Sequence, residues 1–164
     1  MAVTTNQTGR LVDADYDNVK DTFPVSSAGT GTISTVNGAD RFVVGVGTSF
    51  LTEVEVGEFI WFKTADELAK VESIVSDTEL YLVSAPATTA TGDTFGVVPK
   101  VPYSSISWMI DADGAADVNG VTYPANTSRV YGNGKPNTSG GGKRLVPLLI
   151  DSTANTNNVY VSGE

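Results

Sequence analysis

Carboxylates are the side chains of this sequence best suited to acid–base chemistry, because the chain contains neither His nor Cys. Those two absences remove the commonest general base, the commonest zinc ligands and the Ser-His-Asp triad, together with disulfides and Cys nucleophiles. Acid pairs for glycoside hydrolysis can still be drawn, as Glu53 with Glu55 or Asp66 with Glu67. Charge on exposed turns accounts for both pairs. The sequence therefore predicts no catalytic residue and no enzyme, and a carboxylate-based hydrolase ranks last among the alternatives.

Two stretches resemble ligand-binding loops but fail their motifs. Asp111, Asp113, Asp117 and Asn119 offer oxygen ligands, but an EF-hand loop requires Gly at its sixth position and this run has Ala there. The run "TSGGGKR" is not a phosphate loop, because Lys143 is followed by Arg instead of Ser or Thr. We therefore predict no metal and no cofactor, with a looser calcium site in a β-loop as the alternative to solvated turn carboxylates.

The charge balance restricts the possible partners. Ten basic and 19 acidic residues give a formal net charge of −9 at pH 7, which repels a phosphate backbone, so nucleic acid is not an expected partner. No apolar run approaches the length that spans a bilayer, and the first residues lack the pattern of a secretory signal. We expect a protein made in a cytoplasm that stays soluble or leaves with an assembly.

Aromatic side chains are better candidates for binding than the carboxylates, because Tyr and Trp can stack on sugars or anchor a protein interface. In "EFIWFK", strand alternation directs Phe59 and Trp61 to one face and Ile60 and Phe62 to the other. Both faces are apolar, so we expect the core to cover one and a second element or subunit to cover the other. The interface candidates are Tyr16, Phe23, Trp61, Trp108, Tyr123, Tyr131 and Leu148.

Short β-strands must position these side chains. Seventeen glycines and abundant Thr, Ser and Asn indicate many turns between alternating apolar runs. Residues 29–99 contain about six such runs, including "TISTV" and "RFVVGV" around an Asn-Gly turn. Six strands are enough for a small closed or nearly closed barrel, which removes the edges that an isolated meander would expose. Gly45 and Gly47 are predicted to mark bulges or close backbone approaches.

The flanking segments follow different patterns. Residues 1–28 are polar and acidic, which predicts an extended arm that is either flexible or ordered against a neighbouring subunit. Residues 100–164 are predicted to form a loop-rich β extension that packs on the barrel or on neighbouring subunits. This extension contains an Asn-Gly hairpin at 119–120 and a long loop that another chain could order. The predicted fold class is all-β: a small barrel or sandwich of short antiparallel strands, an extended N-terminal arm and a loop-rich C-terminal β region.

Residues 29–99 also carry a family resemblance. The order "GTGTIST", "VNG" and "FVVGVGTSF", followed by "VGEFIWF", "KVESIVSDTELYLV" and "GDTFGVVP", resembles a small β-module of virion proteins of tailed bacteriophages. The sequence differs from the module at the turn "KTADELAK", which is longer than the small polar turn usual there and could be an insertion that contacts another protein. The matching positions are Gly45, Gly47, Thr48, Phe50, Val56, Gly57, Val71, Ser73, Ile74, Ser76, Asp77, Thr78 and Leu80.

The resemblance implies a structural protein of the virion, assembled in the host cytoplasm. A capsid decoration or cement protein, in contact with copies of itself and with other virion proteins, the major capsid protein above all, is the first expectation. A neck or tail component, such as a connector, baseplate or fibre protein, is the alternative. A carbohydrate-binding adhesin module is a further alternative from another class.

Overall fold

The computed structural model describes residues 4–5, 11–12, 14–35, 40–103, 105–112, 114–132, 138–139, 144–155 and 158–163. Antiparallel β-strands make up nearly all its regular structure, as the sequence predicted, with one four-residue helix, α1 (Phe50–Glu53), in the described part of the chain. In chain order the strands are β1 (Thr4–Thr5), β2 (Leu11–Val12), β3 (Ala14–Asp17), β4 (Lys20–Phe23), β5 (Ser27–Ala28), β6 (Thr32–Thr35), β7 (Phe42–Val46), β8 (Phe59–Phe62), β9 (Glu67–Ser76), β10 (Glu79–Leu82), β11 (Phe95–Val98), β12 (Ser105–Ile110), β13 (Ala116–Val118), β14 (Val121–Tyr123), β15 (Ser128–Gly132), β16 (Thr138–Ser139), β17 (Arg144–Leu145), β18 (Leu148–Asp151) and β19 (Asn158–Gly163).

The chain divides into two compact units. One is continuous and comprises Val25–Lys100, and the other combines Met1–Pro24 with Val101–Glu164. We call the first the inserted unit and the second the discontinuous unit. The inserted unit begins four residues before the predicted module of residues 29–99 and ends one residue after it, and each unit has its own apolar core.

The inserted unit is a single curled sheet with strand order β5-β11-β8-β9-β10-β7-β6. Its inner face follows strand alternation: on β7 Val43 is buried while Val44 is exposed, and on β10 Leu80 and Leu82 are buried while Tyr81 is exposed. Phe50 of α1 packs into the same core, with its ring centroid 5.8 Å from that of Phe95. The core members are Ile33, Val43, Phe50, Val54, Ile60, Phe62, Ala69, Val71, Leu80, Leu82, Ala90, Phe95 and Val97.

Of the two predicted forms, a closed or a nearly closed barrel, the inserted unit does not adopt the closed one. Ile33 of the end strand β6 forms an isolated bridge with Asp93, which lies just before β11, and the Gly29 N–H donates to the Phe95 carbonyl at 3.0 Å. A barrel requires a continuous ladder between its first and last strands. Here residues 83–92 follow no regular strand, so the curled sheet stays open on that side.

Several positions of the phage-module resemblance join the turn after β7 to the β9–β10 hairpin. The Thr48 hydroxyl donates to the Asp77 carbonyl at 2.6 Å, and the Asp77 carboxylate accepts the Leu51 N–H at 3.1 Å. Gly45 confirms the predicted close approach, because a Cβ there would lie 2.0 Å from the Thr48 hydroxyl oxygen. Gly47 instead has open space and a φ of +67°, a conformation that glycine adopts without steric cost.

The discontinuous unit is a β-sandwich. One sheet has the order β15-β12-β19-β3 and the other the order β14-β13-β18-β4. Both contribute to one core, in which the aromatic members Tyr16, Phe23 and Trp108 are at most 2% exposed. The remaining buried members are Ala14, Ile106, Ile110, Ala116, Val118, Leu148, Ile150, Val159 and Val161.

The strand order of this sandwich is that of a jelly roll. Counted along the chain, the first, third, sixth and eighth of its strands form one sheet, and the second, fourth, fifth and seventh form the other. A jelly roll of eight strands built from two Greek keys has this allocation with the same neighbours. The inserted unit therefore interrupts a jelly roll between its second and third strands.

The N-terminal segment differs from the predicted arm over part of its length. Strand β3 pairs with β19, and β4 pairs with β18, so residues 14–23 belong to the two sheets of the discontinuous unit. On β3, alternation buries Tyr16 and turns Asp15 and Asp17 outward, and Phe23 is buried at the end of β4. Residues 1–3, 6–10 and 13 lie outside the described part of the chain.

The C-terminal region, predicted as a loop-rich β region, supplies the other six strands of the sandwich. The predicted Asn-Gly hairpin is confirmed: Val118 faces Val121, and Asn119 and Gly120 have φ values of +54° and +73°, as a two-residue type I′ turn requires. The predicted Asn-Gly turn at 37–38 and the turn at 133–134 lie outside the described residues.

Candidate interaction surfaces

The predicted interface residues of the discontinuous unit are mostly core residues. Tyr16, Phe23, Trp108 and Leu148 are buried, and the Tyr16 hydroxyl donates to the Thr22 carbonyl at 2.5 Å. Burial, followed by the nearby charges of Asp21 and Tyr103, raises the pKa of Tyr16 far above its usual value. Side chains so fully covered by their own chain have almost no area left for a partner, so they act here by stabilising the sandwich.

Tyr123 and Tyr131 are the two candidates that keep partial exposure. They lie on β14 and β15, at one edge of each sheet, and the Trp108 ring contacts both, at centroid distances of 4.9 and 6.3 Å. The Arg129 guanidinium lies 5.5 Å from the Tyr123 ring centroid. Burial raises the pKa of Tyr131, a hydrogen bond with Tyr123 adds to this, and Trp108 and Arg129 oppose it. This aromatic edge is the part of the discontinuous unit best suited to stack on a ligand.

Trp61 is buried in the inserted unit, as are all four residues of β8. This agrees with the expectation that both apolar faces of this strand are covered. The Lys63 ammonium lies 5.3 Å from the Trp61 ring centroid, within cation–π range. The indole Nε1 has no hydrogen-bond partner among the described residues. Trp61 therefore offers little surface to another chain.

An exposed apolar surface that the aromatic search missed lies on β7 and β10. Val46 is 71% exposed, Val83 49% and Val44 42%. The half-buried Phe42 packs on the exposed Tyr81 with ring centroids 5.0 Å apart. Alternation places those on β7 and β10 on the outer face of two hydrogen-bonded strands, and Val83 follows directly after β10. We call Phe42, Val44, Val46, Tyr81 and Val83 the apolar stripe.

The carboxylates proposed as catalytic pairs are engaged in holding loops. Glu53 accepts hydrogen bonds from the N–H and the hydroxyl of Thr30, and Glu67 accepts the two N–H groups at 87–88 at 2.7 and 2.8 Å. Glu55 forms an exposed ion pair with a lysine at 3.3 Å. The contacts of Glu53 and Glu67 thus hold neighbouring loop backbone in place.

The residues of the alternative calcium loop do not share one environment. Asp111 is buried, while Asp117 lies in β13 opposite Asp151 of β18. The Asn119 side-chain oxygen accepts the Leu149 N–H at 2.8 Å. Asp113 lies outside the described residues, as does Lys143 of the glycine-rich run. Within the described ranges, no group of three or more Asp and Glu side chains is placed to hold a metal ion.

Comparison with known proteins finds no matching family model, no similar curated protein and no similar solved structure. The jelly-roll assignment therefore rests on the strand order. Among the residues that the structure describes, none of the helices has the length and apolar character needed to cross a membrane.

Proposed function

We propose that this protein is a structural component of a tailed-phage virion, with a capsid decoration or cement protein that stabilises the head through subunit contacts as the first candidate. A neck or tail position is the second candidate within the same class. In either place the protein acts by contact, with copies of itself and with other virion proteins as partners.

The observation that carries this proposal is the combination of two features in one chain. The discontinuous unit has jelly-roll strand order, and the unit inserted into it spans the residues that resemble the phage virion module. Jelly rolls occur in viral capsid domains but also in lectins and cupins, so the topology alone does not select a function. The module resemblance favours the first of these classes.

The contacts of the resembling residues support the same proposal. Thr48 and Asp77 tie the turn after β7 to the β9–β10 hairpin, and Gly45 permits the close approach between them. The matching residues therefore act together in one structural contact. A similarity that arose only from composition would not be expected to place them in contact.

The aromatic edge favours a second function, recognition of a carbohydrate. Tyr123 and Tyr131 are partly exposed beside Trp108, and Arg129 supplies hydrogen-bond donors next to the rings. Since lectins share jelly-roll topology, an adhesin module would use this edge. It ranks second because Arg129 already covers one side of the Tyr123 ring.

The deciding experiment is the copy number of this chain in purified virions, measured by quantitative mass spectrometry against the major capsid protein. A count near one per capsid subunit, or a simple fraction of it, supports decoration. A count of a few copies per particle moves the protein to the neck or tail. Absence from particles overturns the virion proposal, and a glycan array then tests the adhesin alternative, with Tyr123→Ala as the variant that should lose binding.

A further inference from the structure

The outer face of the inserted unit is apolar across several strands but covered on only some of them. On β8 and β11, Phe59, Trp61 and Val98 point away from the inner core and are nevertheless buried. On β7 and β10 the equivalent face carries the apolar stripe, whose three valines are 42–71% exposed. An exposed apolar surface on neighbouring strands is a common mark of an interaction site.

The charges around the stripe distinguish between possible partners. Glu79 lies directly opposite Val44 in the β7–β10 ladder, and Asp77 follows in the adjoining turn. At the other end, Arg41 is paired with Glu72 at 2.8 Å. Asp40 and Lys70 are the other charged residues near this end, beside Phe42 and Val83, and their charges are opposite. The segments that border the stripe thus carry an acidic excess, which is concentrated at the end formed by Val44 and Val46.

If two copies of the chain met face to face through the apolar stripe, the acidic excess that borders the stripe in one copy would be brought toward the same excess in the other. Like charges brought together at an interface cost free energy, whereas opposite charges favour association and fix its register. The whole chain has a net charge of −9, which adds to the repulsion between copies. The electrostatics therefore favour a partner that brings cations.

We propose that the apolar stripe is a docking surface for a protein segment with an apolar centre flanked by Lys or Arg. The valines and Tyr81 receive the apolar side chains, and Glu79 and Asp77 face the cations. This inference does not depend on the virion proposal, because it rests on the exposure and charge of β7 and β10.

The test uses the full chain and two short synthetic peptides with the same apolar centre, one flanked by lysines and the other by glutamates. Binding is followed by the amide chemical shifts of the ¹⁵N-labelled protein and by titration calorimetry. We expect the lysine peptide to shift the amides of β7 and β10, with an affinity that falls as salt rises. The glutamate peptide should bind far more weakly.

Substitutions then locate the site. Val44→Thr combined with Val46→Thr keeps β-branched side chains on the strand and should weaken the lysine peptide roughly tenfold, from the apolar burial that is lost. Glu79→Gln should weaken it roughly threefold, as expected for an exposed ion pair. The matched control is Val121→Thr with Val130→Thr, since those valines are 51% and 52% exposed in the discontinuous unit and should change nothing.

Three outcomes would overturn the proposal. Equal affinities for the two peptides would show that charge does not select the partner. An equal loss of affinity for the lysine peptide in the control variant would show that the peptide does not bind at the stripe. Sedimentation that shows a dimer abolished by the Val44/Val46 substitutions would make the stripe a contact between copies of this chain instead.

Discussion

The two units are joined by one chain but assembled in different ways. In the inserted unit, three strand pairs are formed by neighbours in the chain, β6 with β7, β8 with β9 and β9 with β10. In the discontinuous unit β3 and β4 must meet β19 and β18 from the opposite end of the chain. Long-range pairing requires closure of a long loop before any contact compensates for it. The inserted unit should therefore form first and tolerate loss of the sandwich, while the sandwich depends on both chain ends.

Removal of residues 1–24 is the change with the largest expected effect on this comparison. It deletes β3 and β4, which are one edge strand of each sheet, together with buried Tyr16 and Phe23. We expect the discontinuous unit to unfold and the inserted unit to keep its structure. Hydrogen exchange measured by mass spectrometry should show loss of protection in residues 105–163 and retained protection in residues 42–98.

The reciprocal deletion provides the control. Ser27 and Val97 pair within the inserted unit, so the points where the chain enters and leaves it lie close together. Replacing residues 25–100 with a short Gly-Ser linker should leave the sandwich protected. Loss of protection in the inserted unit after removal of residues 1–24, or unfolding of the sandwich after the linker replacement, would show that the two units form a single cooperative structure and would contradict the comparison.

The same contrast explains what the sequence predicted. Strands β6 to β11 lie where alternation and turn residues indicate them, because each signal is local. The role of residues 14–23 was missed because the pattern "ADYD" is short and acidic, and its partners lie at the other end of the chain. Alternation also identifies which residues share a face but not whether that face is covered. Four of the six aromatics proposed as interface residues are therefore buried, and the exposed valines were overlooked.

A matched pair of core substitutions should show whether each unit unfolds separately. Phe23 and Phe62 are both buried, one in each core. Phe23→Ala should destabilise the discontinuous unit, and Phe62→Ala the inserted unit, each by about 3–5 kcal/mol from lost burial and the cavity left behind. Urea denaturation followed by unit-specific amide signals measures the two transitions, and a shift of both transitions by one substitution would argue against separate units.

Two glycines in the inserted unit should differ in cost for a physical reason. At Gly45 a Cβ would overlap the Thr48 side chain, whereas at Gly47 nothing lies within 4 Å and the cost is conformational. Gly45→Ala should destabilise the inserted unit by about 1–3 kcal/mol through steric strain, and Gly47→Ala by about 1 kcal/mol because its φ is positive. The midpoint of thermal unfolding ranks the two variants. A Gly45→Ala midpoint equal to that of the unsubstituted protein would mean that the turn relaxes without loss and that Gly45 does not report a close approach.

The smallest expected effect is a pH dependence within the discontinuous unit. Partial burial, followed by the charges of Asp17 and Asp111, raises the pKa of Asp15 above 3.8. Because the folded state then holds this proton more tightly than the unfolded chain does, the contribution is stabilising at low pH and is lost as pH rises through the raised pKa. Asp15→Asn should therefore raise the thermal midpoint of this unit slightly at pH 7, and the difference should shrink in acid.

Asp151 is the opposite case in the same unit. Burial acts to raise the pKa of Asp151, but hydrogen bonds from Thr153 and the Lys20 ammonium 3.5 Å away outweigh it and lower that pKa below 3.8. Its contribution is present above the ordinary pKa and is lost as pH falls through the lowered one. Asp151→Asn should thus lower the midpoint at pH 7, where Asp15→Asn raises it. Shifts of the same sign at pH 7 would mean that net charge, and not the local surroundings of each carboxylate, controls the stability of the sandwich.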